Sequence, residues 1–215
     1  RVLLLDMEAL RPLATLQLGH DFSVFAVAFS PDGRYGFSGD GMGGVQVWEL
    51  AAARRVRTLD HGPSVRGIAL SPDGRRLVSG GSLHSVFGNY QDTLKLWDWS
   101  TGQLLHDFGD YKKTVNAVRF SADGRYVLTG GDELLLWEAQ TGRVIHTFAG
   151  HVGDVGAVAF LPDGRRVLSA GDDGTVRLWE LASGRELAQL VGFNNGEWIA
   201  ATPEGYYEAS PGGDA

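Results

Sequence analysis

The sequence predicts an all-β fold built from about five copies of one repeat unit, and three observations lead to this prediction. A tryptophan followed by an acidic residue recurs at intervals of 40 to 49 residues. A turn tripeptide recurs at nearly the same intervals, 40 to 50 residues. Glycine accounts for 31 of the 215 residues without the three-residue period of collagen, which indicates many tight turns. The tryptophan pairs are Trp48-Glu49, Trp97-Asp98, Trp137-Glu138 and Trp179-Glu180. The turns are Pro31-Asp32-Gly33, Pro72-Asp73-Gly74, Ala122-Asp123-Gly124, Pro162-Asp163-Gly164 and Pro203-Glu204-Gly205.

Residues 150–191 show the elements of one unit most clearly. A run from Val155 to Phe160 alternates small and large apolar residues and stops at the Pro162-Asp163-Gly164 turn, which indicates a first strand. Three further short strands, separated by glycine turns, follow in residues 166–169, 175–181 and 187–191. Each unit is therefore predicted to form four short antiparallel strands, which we call a to d. Such units bury a continuous core when they pack face to face around an axis.

Two structures are possible for the connection between strands c and d of the first continuous unit, a short helix or a turn. Residues from Glu49 to Arg57 contain three alanines and favour one or two helical turns by propensity. The segment also aligns with the Ala182-Ser183-Gly184 turn of the last unit. We interpret it as a glycine-free version of that turn.

The repeat register divides the chain into four continuous units and one unit that is split between the termini. The split unit takes strands c and d from residues 1–18 and strands a and b from residues 192–215. Joined, these pieces would complete one sheet and leave no open edge. Residues 1–215 would then be a closed ring of five units, and the alternative is an excerpt of a longer array. The continuous units are 19–59, 60–108, 109–149 and 150–191.

The last continuous unit resembles the WD40 repeat. The resemblance is carried by His151, the Pro162-Asp163-Gly164 turn, Ser169, Asp173 and the Trp179-Glu180 pair, and its register covers the chain. It implies a β-propeller of four-stranded antiparallel blades, with strand a at the centre and strand d at the rim. It also implies that four of these side chains form a structural hydrogen-bond network between the loop before strand a and the turn between strands b and c. The members of this network are His151, Ser169, Asp173 and Trp179.

The other units depart from this pattern at the position of Asp173 or at that of His151. Met42 stands there in the first continuous unit and Gln91 in the second. In the third unit Asp110-Tyr111 replaces the histidine. We expect their networks to be less complete.

We expect no catalytic, cofactor-binding or metal-binding residues in this chain. His151, Ser169 and Asp173 are the residue types of a catalytic triad, but no Gly-x-Ser-x-Gly motif accompanies the serine. The six histidines form no zinc-binding pair, and there is no cysteine. The glycine-rich segment 39–44 lacks the Lys-Ser/Thr ending of a phosphate-binding loop.

The longest departure from the repeat is an insertion of aromatic and polar residues at 81–92, between strands b and c of the second continuous unit. In WD40 propellers these loops share one face, the top, with the loops between strands d and a, where residues 111–113 lie. We expect a patch of aromatic residues and two cations, a composition favoured at interaction hot spots. The alternative is a loop insertion without a role in binding. The candidate partner-binding residues are Leu83, His84, Phe87, Tyr90, Tyr111, Lys112 and Lys113.

These features predict a non-enzymatic scaffold that binds protein or peptide partners through its top-face loops. The formal charge of −7 argues against nucleic acid, and no apolar run approaches the length of a membrane span. We expect a bacterial, cytoplasmic protein. One alternative is the sensor or regulatory propeller of a larger bacterial effector, such as a caspase-like peptidase, with its catalytic domain outside this chain. Another is a propeller that binds a small ligand.

Overall fold

The structure is a computed structural model that describes residues 2–6, 8, 11–16, 23–62, 64–81, 94–108 and 113–212. These residues form twenty β-strands joined by turns, and none of them lies in a helix. The described part of the chain accordingly offers no helix that could cross a membrane. The chain divides into two compact units, Arg1–Val118 and Arg119–Ala215.

The first unit contains a two-stranded sheet and two four-stranded sheets, each with its strands in sequential order. All the described pairings are antiparallel. We call the four-stranded sheets blade 1 (β3–β6) and blade 2 (β7–β10). The strands are β1 (Val2–Asp6), β2 (Arg11–Leu16), β3 (Val24–Phe29), β4 (Tyr35–Asp40), β5 (Gly44–Glu49), β6 (Arg54–Asp60), β7 (Val65–Leu70), β8 (Arg76–Gly81), β9 (Leu94–Asp98) and β10 (Gln103–Asp107).

The second unit continues the same plan. Strand β11 crosses the boundary between the units and begins a sheet of order β11–β12–β13–β14, which we call blade 3. A six-stranded sheet of order β15 to β20 follows, and its first four strands are blade 4. The strands are β11 (Val115–Phe120), β12 (Tyr126–Gly131), β13 (Leu134–Glu138), β14 (Val144–Phe148), β15 (Val155–Phe160), β16 (Arg166–Gly171), β17 (Thr175–Glu180), β18 (Glu186–Gly192), β19 (Trp198–Ala201) and β20 (Tyr207–Ala209).

The blades repeat their irregularities as well as their strands. In blades 1, 3 and 4 the register between the third and fourth strands shifts immediately before the tryptophan: Trp48, Trp137 and Trp179. A bulge at this point increases the local twist of the sheet. Each of these tryptophans is almost completely buried. The prediction of an all-β chain built from four-stranded antiparallel units is therefore confirmed.

The core of the first unit lies between its two blades. Phe37 and Val47 from blade 1 pack in one cluster with Ile68 and Leu77 from blade 2. Each of these side chains is less than 5% exposed. The alternating apolar residues of the strands thus bury one face of each sheet against its neighbour, which is the packing expected of repeat units that cannot form a core alone.

The segment from Glu49 to Arg57 forms a turn, as predicted. Strand β5 ends at Glu49 and β6 begins at Arg54. Ala53 adopts a φ of +48° at the position where the later repeats have glycine. The alanine thus accepts the left-handed backbone conformation that glycine adopts at lower cost.

The C-terminal strands differ from the prediction. Residues 192–215 were expected to supply strands a and b of a sheet shared with the N-terminus, but β19 pairs with β18 and β20 pairs with β19. Strands β1 and β2 form a sheet of their own. The hairpin therefore extends blade 4.

The physical reason lies in the connection before β19. Phe193 N–H donates to the carbonyl of Glu197, and Gly196 takes a φ of +86°, so the chain reverses directly onto β18. The corresponding connection before β15 contains His151, whose side chain is bonded to Ser169 and Asp173. No histidine follows Gly192, so the C-terminal connection lacks these two bonds.

Candidate functional site

Blade 4 brings together the four side chains expected to form a network. The indole N–H of Trp179 donates to Ser169 Oγ at 2.8 Å. Ser169 Oγ lies 2.7 Å from His151 Nε2, and His151 Nδ1 lies 3.0 Å from Asp173 Oδ2. Strand β16 positions the serine and β17 the tryptophan, while the histidine and the aspartate come from the loops at one end of the sheet. The network ties those two loops to the sheet.

The chemistry of the four groups fixes the direction of these hydrogen bonds. An ionised carboxylate only accepts, so the histidine must donate from Nδ1 to Asp173. In the neutral ring Nε2 is then the acceptor, and the hydroxyl of Ser169 donates to it. The serine oxygen meanwhile accepts from Trp179. Hydrogen bonds therefore run in one direction from the tryptophan to the aspartate.

Asp173 is the most heavily used acceptor of the network. Burial alone would raise its pKa, but hydrogen bonds from the Thr175 hydroxyl, from the backbone N–H groups of Val152 and Thr175, and from His151 outweigh burial and hold the pKa well below its usual range. Arg177 adds an ion pair at 3.4 Å and joins Glu186 at 2.8 Å. The carboxylate is thus held ionised between the two loops. Sequence reasoning missed Arg177 and Glu186, whose spacing follows only from the pairing of β17 with β18.

The serine of this network is not placed to act as a nucleophile. Ser169 is 2% exposed, and Trp179, which covers it, is 1% exposed. One lone pair of its oxygen already accepts the indole N–H. A substrate carbonyl could not approach that oxygen, although the orientation toward His151 matches a catalytic triad. The geometry supports a structural role for these residues.

Every blade retains the hydrogen bond between its tryptophan and a hydroxyl on the second strand. The hydroxyl belongs to serine in blades 1, 2 and 4 and to threonine in blade 3. All four hydroxyl residues are nearly or completely buried. The donor–acceptor pairs are Trp48–Ser38 at 2.8 Å, Trp97–Ser79 at 2.9 Å, Trp137–Thr129 at 2.9 Å and Trp179–Ser169 at 2.8 Å.

Blade 2 has the histidine but lacks the aspartate among its described residues. His61 Nδ1 lies 2.7 Å from Ser79 Oγ, and His61 Nε2 has no described partner. The ring is completely buried. Burial, together with the nearby positive charge of Lys95, lowers the pKa of His61 to about 3. Gln91, the residue at the aspartate position, lies outside the described residues.

In blade 1 a different aspartate stabilises the turn. Asp40 Oδ1 accepts from the backbone N–H groups of Met42 at 2.9 Å and Gly44 at 3.1 Å. Gly44 corresponds to Thr175, whose N–H is bonded to Asp173 in blade 4. Asp40 thus replaces part of the function lost at Met42, from two residues earlier in the chain. A short polar side chain directly before a glycine turn was the signal that sequence reasoning missed.

Most of the candidate partner-binding residues cannot be placed. Lys113 is exposed in a bend before β11. The other members lie outside the described residues: Leu83, His84, Phe87, Tyr90, Tyr111 and Lys112. The described residues also contain no group of three histidine, aspartate or glutamate side chains that could hold a metal ion.

One known protein family matches most of the chain. The family described as WD domain, G-beta repeat matches four consecutive segments, residues 10–49, 53–98, 102–135 and 142–180. Three of the matches end with a third strand, at residues 49, 98 and 180, and the remaining match ends within β13. No curated protein matches the chain.

Proposed function

The chain belongs to the WD40-repeat family, and from this premise we propose that it is a non-enzymatic scaffold that binds protein partners through its top-face loops. Its strands and sheets fit a β-propeller built of four-stranded blades. WD40 repeats generally mediate protein–protein interaction, and propellers of this family are typically non-catalytic. Among the proposed partners we favour proteins over nucleic acid, because a formal charge of −7 opposes binding to phosphates. A bacterial, cytoplasmic setting belongs to the same proposal.

The hydrogen-bond network of blade 4 is the observation that supports this role most directly. Its polar atoms bond one another and two loops, and its serine is buried, so these residues stiffen the frame. Loops held by a rigid scaffold lose less conformational entropy when a partner binds. The network thus favours binding over chemistry.

The proposed contact surface is the aromatic and basic patch predicted from the insertion at 81–92 and from residues 111–113. Aromatic residues supply large apolar area at low entropic cost, which is why they are frequent among binding hot spots. Phe87 and Tyr90 are the two residues of this patch whose loss should weaken partner binding most.

Site-specific photo-crosslinking tests the proposal. A photoreactive phenylalanine analogue at Lys113 should crosslink a defined protein in cells, and Phe87→Ala/Tyr90→Ala should abolish that adduct without changing the unfolding midpoint. Tyr206→Ala/Tyr207→Ala is the matched control, because both tyrosines are more than 60% exposed. An adduct that survives the first double variant, or that is lost equally in the control, would reject the patch.

A further inference from the structure

The second unit contains an unfilled cleft between blades 3 and 4. Its volume is about 410 Å³, within the range of clefts that bind small ligands or side chains. Tyr126, Leu136 and Ile145 of blade 3 line one wall, and Leu181 of blade 4 lines the other. Arg165 is exposed at the rim. We call this space the unit-2 cleft.

The first unit has a cleft at the corresponding place between blades 1 and 2. Tyr35, Val47 and Val56 line it. Val47 precedes the repeat tryptophan Trp48 and is paired with Arg57. In the same way Leu136 precedes Trp137 and is paired with His146. The strand registers therefore make the two clefts equivalent. We call this one the unit-1 cleft.

A tryptophan of the same chain occupies the unit-1 cleft. The ring centroid of Trp99 lies 4.9 Å from that of Tyr35 and 5.2 Å from that of Phe37. The indole N–H donates to the carbonyl of Gly74 at 2.8 Å. Aromatic pairs at these separations are favourable beyond the area that they bury. Only about 230 Å³ of this cleft is left open.

In the unit-2 cleft the corresponding residue is smaller. Leu181 follows Trp179 by two residues, as Trp99 follows Trp97. Gly164 stands where Gly74 stands in blade 2, and no described group donates to its carbonyl. The unit-2 cleft thus lacks the indole and leaves unused the acceptor that an indole would engage.

An equivalent hydrogen bond joins the two blades at each cleft, although Leu128 of blade 3 stands where Phe37 contacts Trp99 in blade 1. Arg57 donates to the carbonyl of Ser100 at 3.0 Å in unit 1. His146 Nε2 donates to the carbonyl of Ala182 at 2.9 Å in unit 2. Both contacts connect the fourth strand of one blade to the third-to-fourth turn of the next. The unit-2 cleft therefore keeps its walls in place although its central aromatic residue is missing.

We propose that the unit-2 cleft binds a tryptophan side chain presented by a protein partner. The indole would pack against Tyr126 in a tilted arrangement and donate its N–H to the carbonyl of Gly164, as Trp99 does with Tyr35 and Gly74. The choice of a protein segment as the source of the indole rests on the proposed scaffold role. The cleft itself does not involve the top-face patch, so the two proposals fail separately.

Titration with N-acetyl-5-fluorotryptophan amide, followed by ¹⁹F NMR, tests the cleft. We expect saturable binding with a dissociation constant of about 0.1–1 mM for a ligand of this size. Leu181→Trp should abolish binding because its own indole fills the cleft, whereas Leu105→Trp, which adds a tryptophan at an exposed leucine, should not. Trp99→Leu should create a second site by opening the unit-1 cleft. Binding that Leu181→Trp leaves unchanged, or no binding to the wild type, would overturn the proposal.

A second variant tests the cleft even if Leu181→Trp does not fold. Tyr126→Leu removes the aromatic ring proposed to contact the indole and should weaken binding roughly tenfold. The matched control Tyr206→Leu changes a tyrosine that is 77% exposed and should leave the affinity unchanged. Equal affinities of these two variants would contradict the proposed contact between the indole and Tyr126.

Two comparisons identify the source of the indole. Free tryptophan should bind no more tightly than the amide, because a chain segment carries no zwitterion, and markedly tighter binding of the free amino acid would replace a protein partner with a small-molecule ligand. Peptides selected by phage display on the wild type, after removal of those that also bind Leu181→Trp, should share a tryptophan. Selected peptides without one would reject the protein segment, whatever the outcome of the crosslinking at Lys113.

Discussion

Blades 2 and 4 contain the same histidine, serine and tryptophan at the same positions but end their hydrogen-bond networks differently. In blade 4 the histidine continues to Asp173, which also holds the N–H groups of two loops. In blade 2, His61 reaches Ser79 and has no described partner beyond it. The bond from tryptophan to serine is the same in both.

This difference shows that the repeat has two separable parts. The buried bond between tryptophan and hydroxyl holds the second and third strands of a blade together, and every blade keeps it. The aspartate adds a connection between loops and gives the histidine an ionised acceptor. A blade without that acceptor can still be built, but its histidine is buried with one ring nitrogen that has no partner among the described residues, which costs free energy.

Removing Asp173 is expected to have the largest effect. Asp173→Ala should lower the free energy of unfolding by about 3 kcal/mol, because it leaves His151 and two backbone N–H groups without their acceptor. Urea unfolding followed by fluorescence and circular dichroism measures this. Asp172→Ala is the control, since it removes the same charge from an exposed neighbour. Equal losses for the two variants would mean that the network adds nothing to stability.

Replacing the histidine of each blade by leucine should reveal a smaller difference in the free energy of unfolding between blades 2 and 4. Both variants lose the bond to serine, but only His151→Leu also leaves Asp173 short of a donor. Only His61→Leu removes a buried nitrogen that has no described partner. We expect His151→Leu to be the more destabilising by about 2 kcal/mol. The same urea experiment compares them. A larger loss for His61→Leu would reverse this interpretation.

The pH dependence of stability should show the smallest effect, as a difference between the wild type and His61→Leu. The pKa of His61 falls to about 3 on folding, so the folded state stays neutral while the unfolded state binds a proton below its pKa of about 6.5. His61 therefore lowers stability as the pH falls through 6.5 toward 3. Between pH 7 and pH 5.5 the wild type should lose about 1 kcal/mol more than His61→Leu. Parallel stability profiles for the two proteins over this range would contradict the shift.

Local sequence signals determined much of the fold. Alternating apolar residues and Pro-Asp-Gly turns act over a few residues, and the predicted strands of 150–191 correspond to β15 to β18. The resemblance to the WD40 repeat and the β-propeller fold that it implied are confirmed by the family match. The turn after Glu49 could be predicted for the same local reason.

The C-terminal hairpin was mispredicted although its signal was present. The repeat register assigned residues 192–215 to strands a and b of a split unit. The segment Asn194-Asn195-Gly196 favours a tight hairpin, and the structure forms one. A local turn prevailed over the register, since this short reversal pairs β19 directly with β18.

The sequence by itself determined the repeat, its strands and the residues that could form a network, because each depends on short-range patterns that recur along the chain. Only the tertiary structure decided which acceptor each turn uses, as with Asp40 in place of Met42. It alone also showed that Trp99 fills one cleft while Leu181 leaves its counterpart open. These outcomes depend on side chains that packing brings together from distant positions. The sequence pattern does not predict how closely such side chains fill the space between two blades.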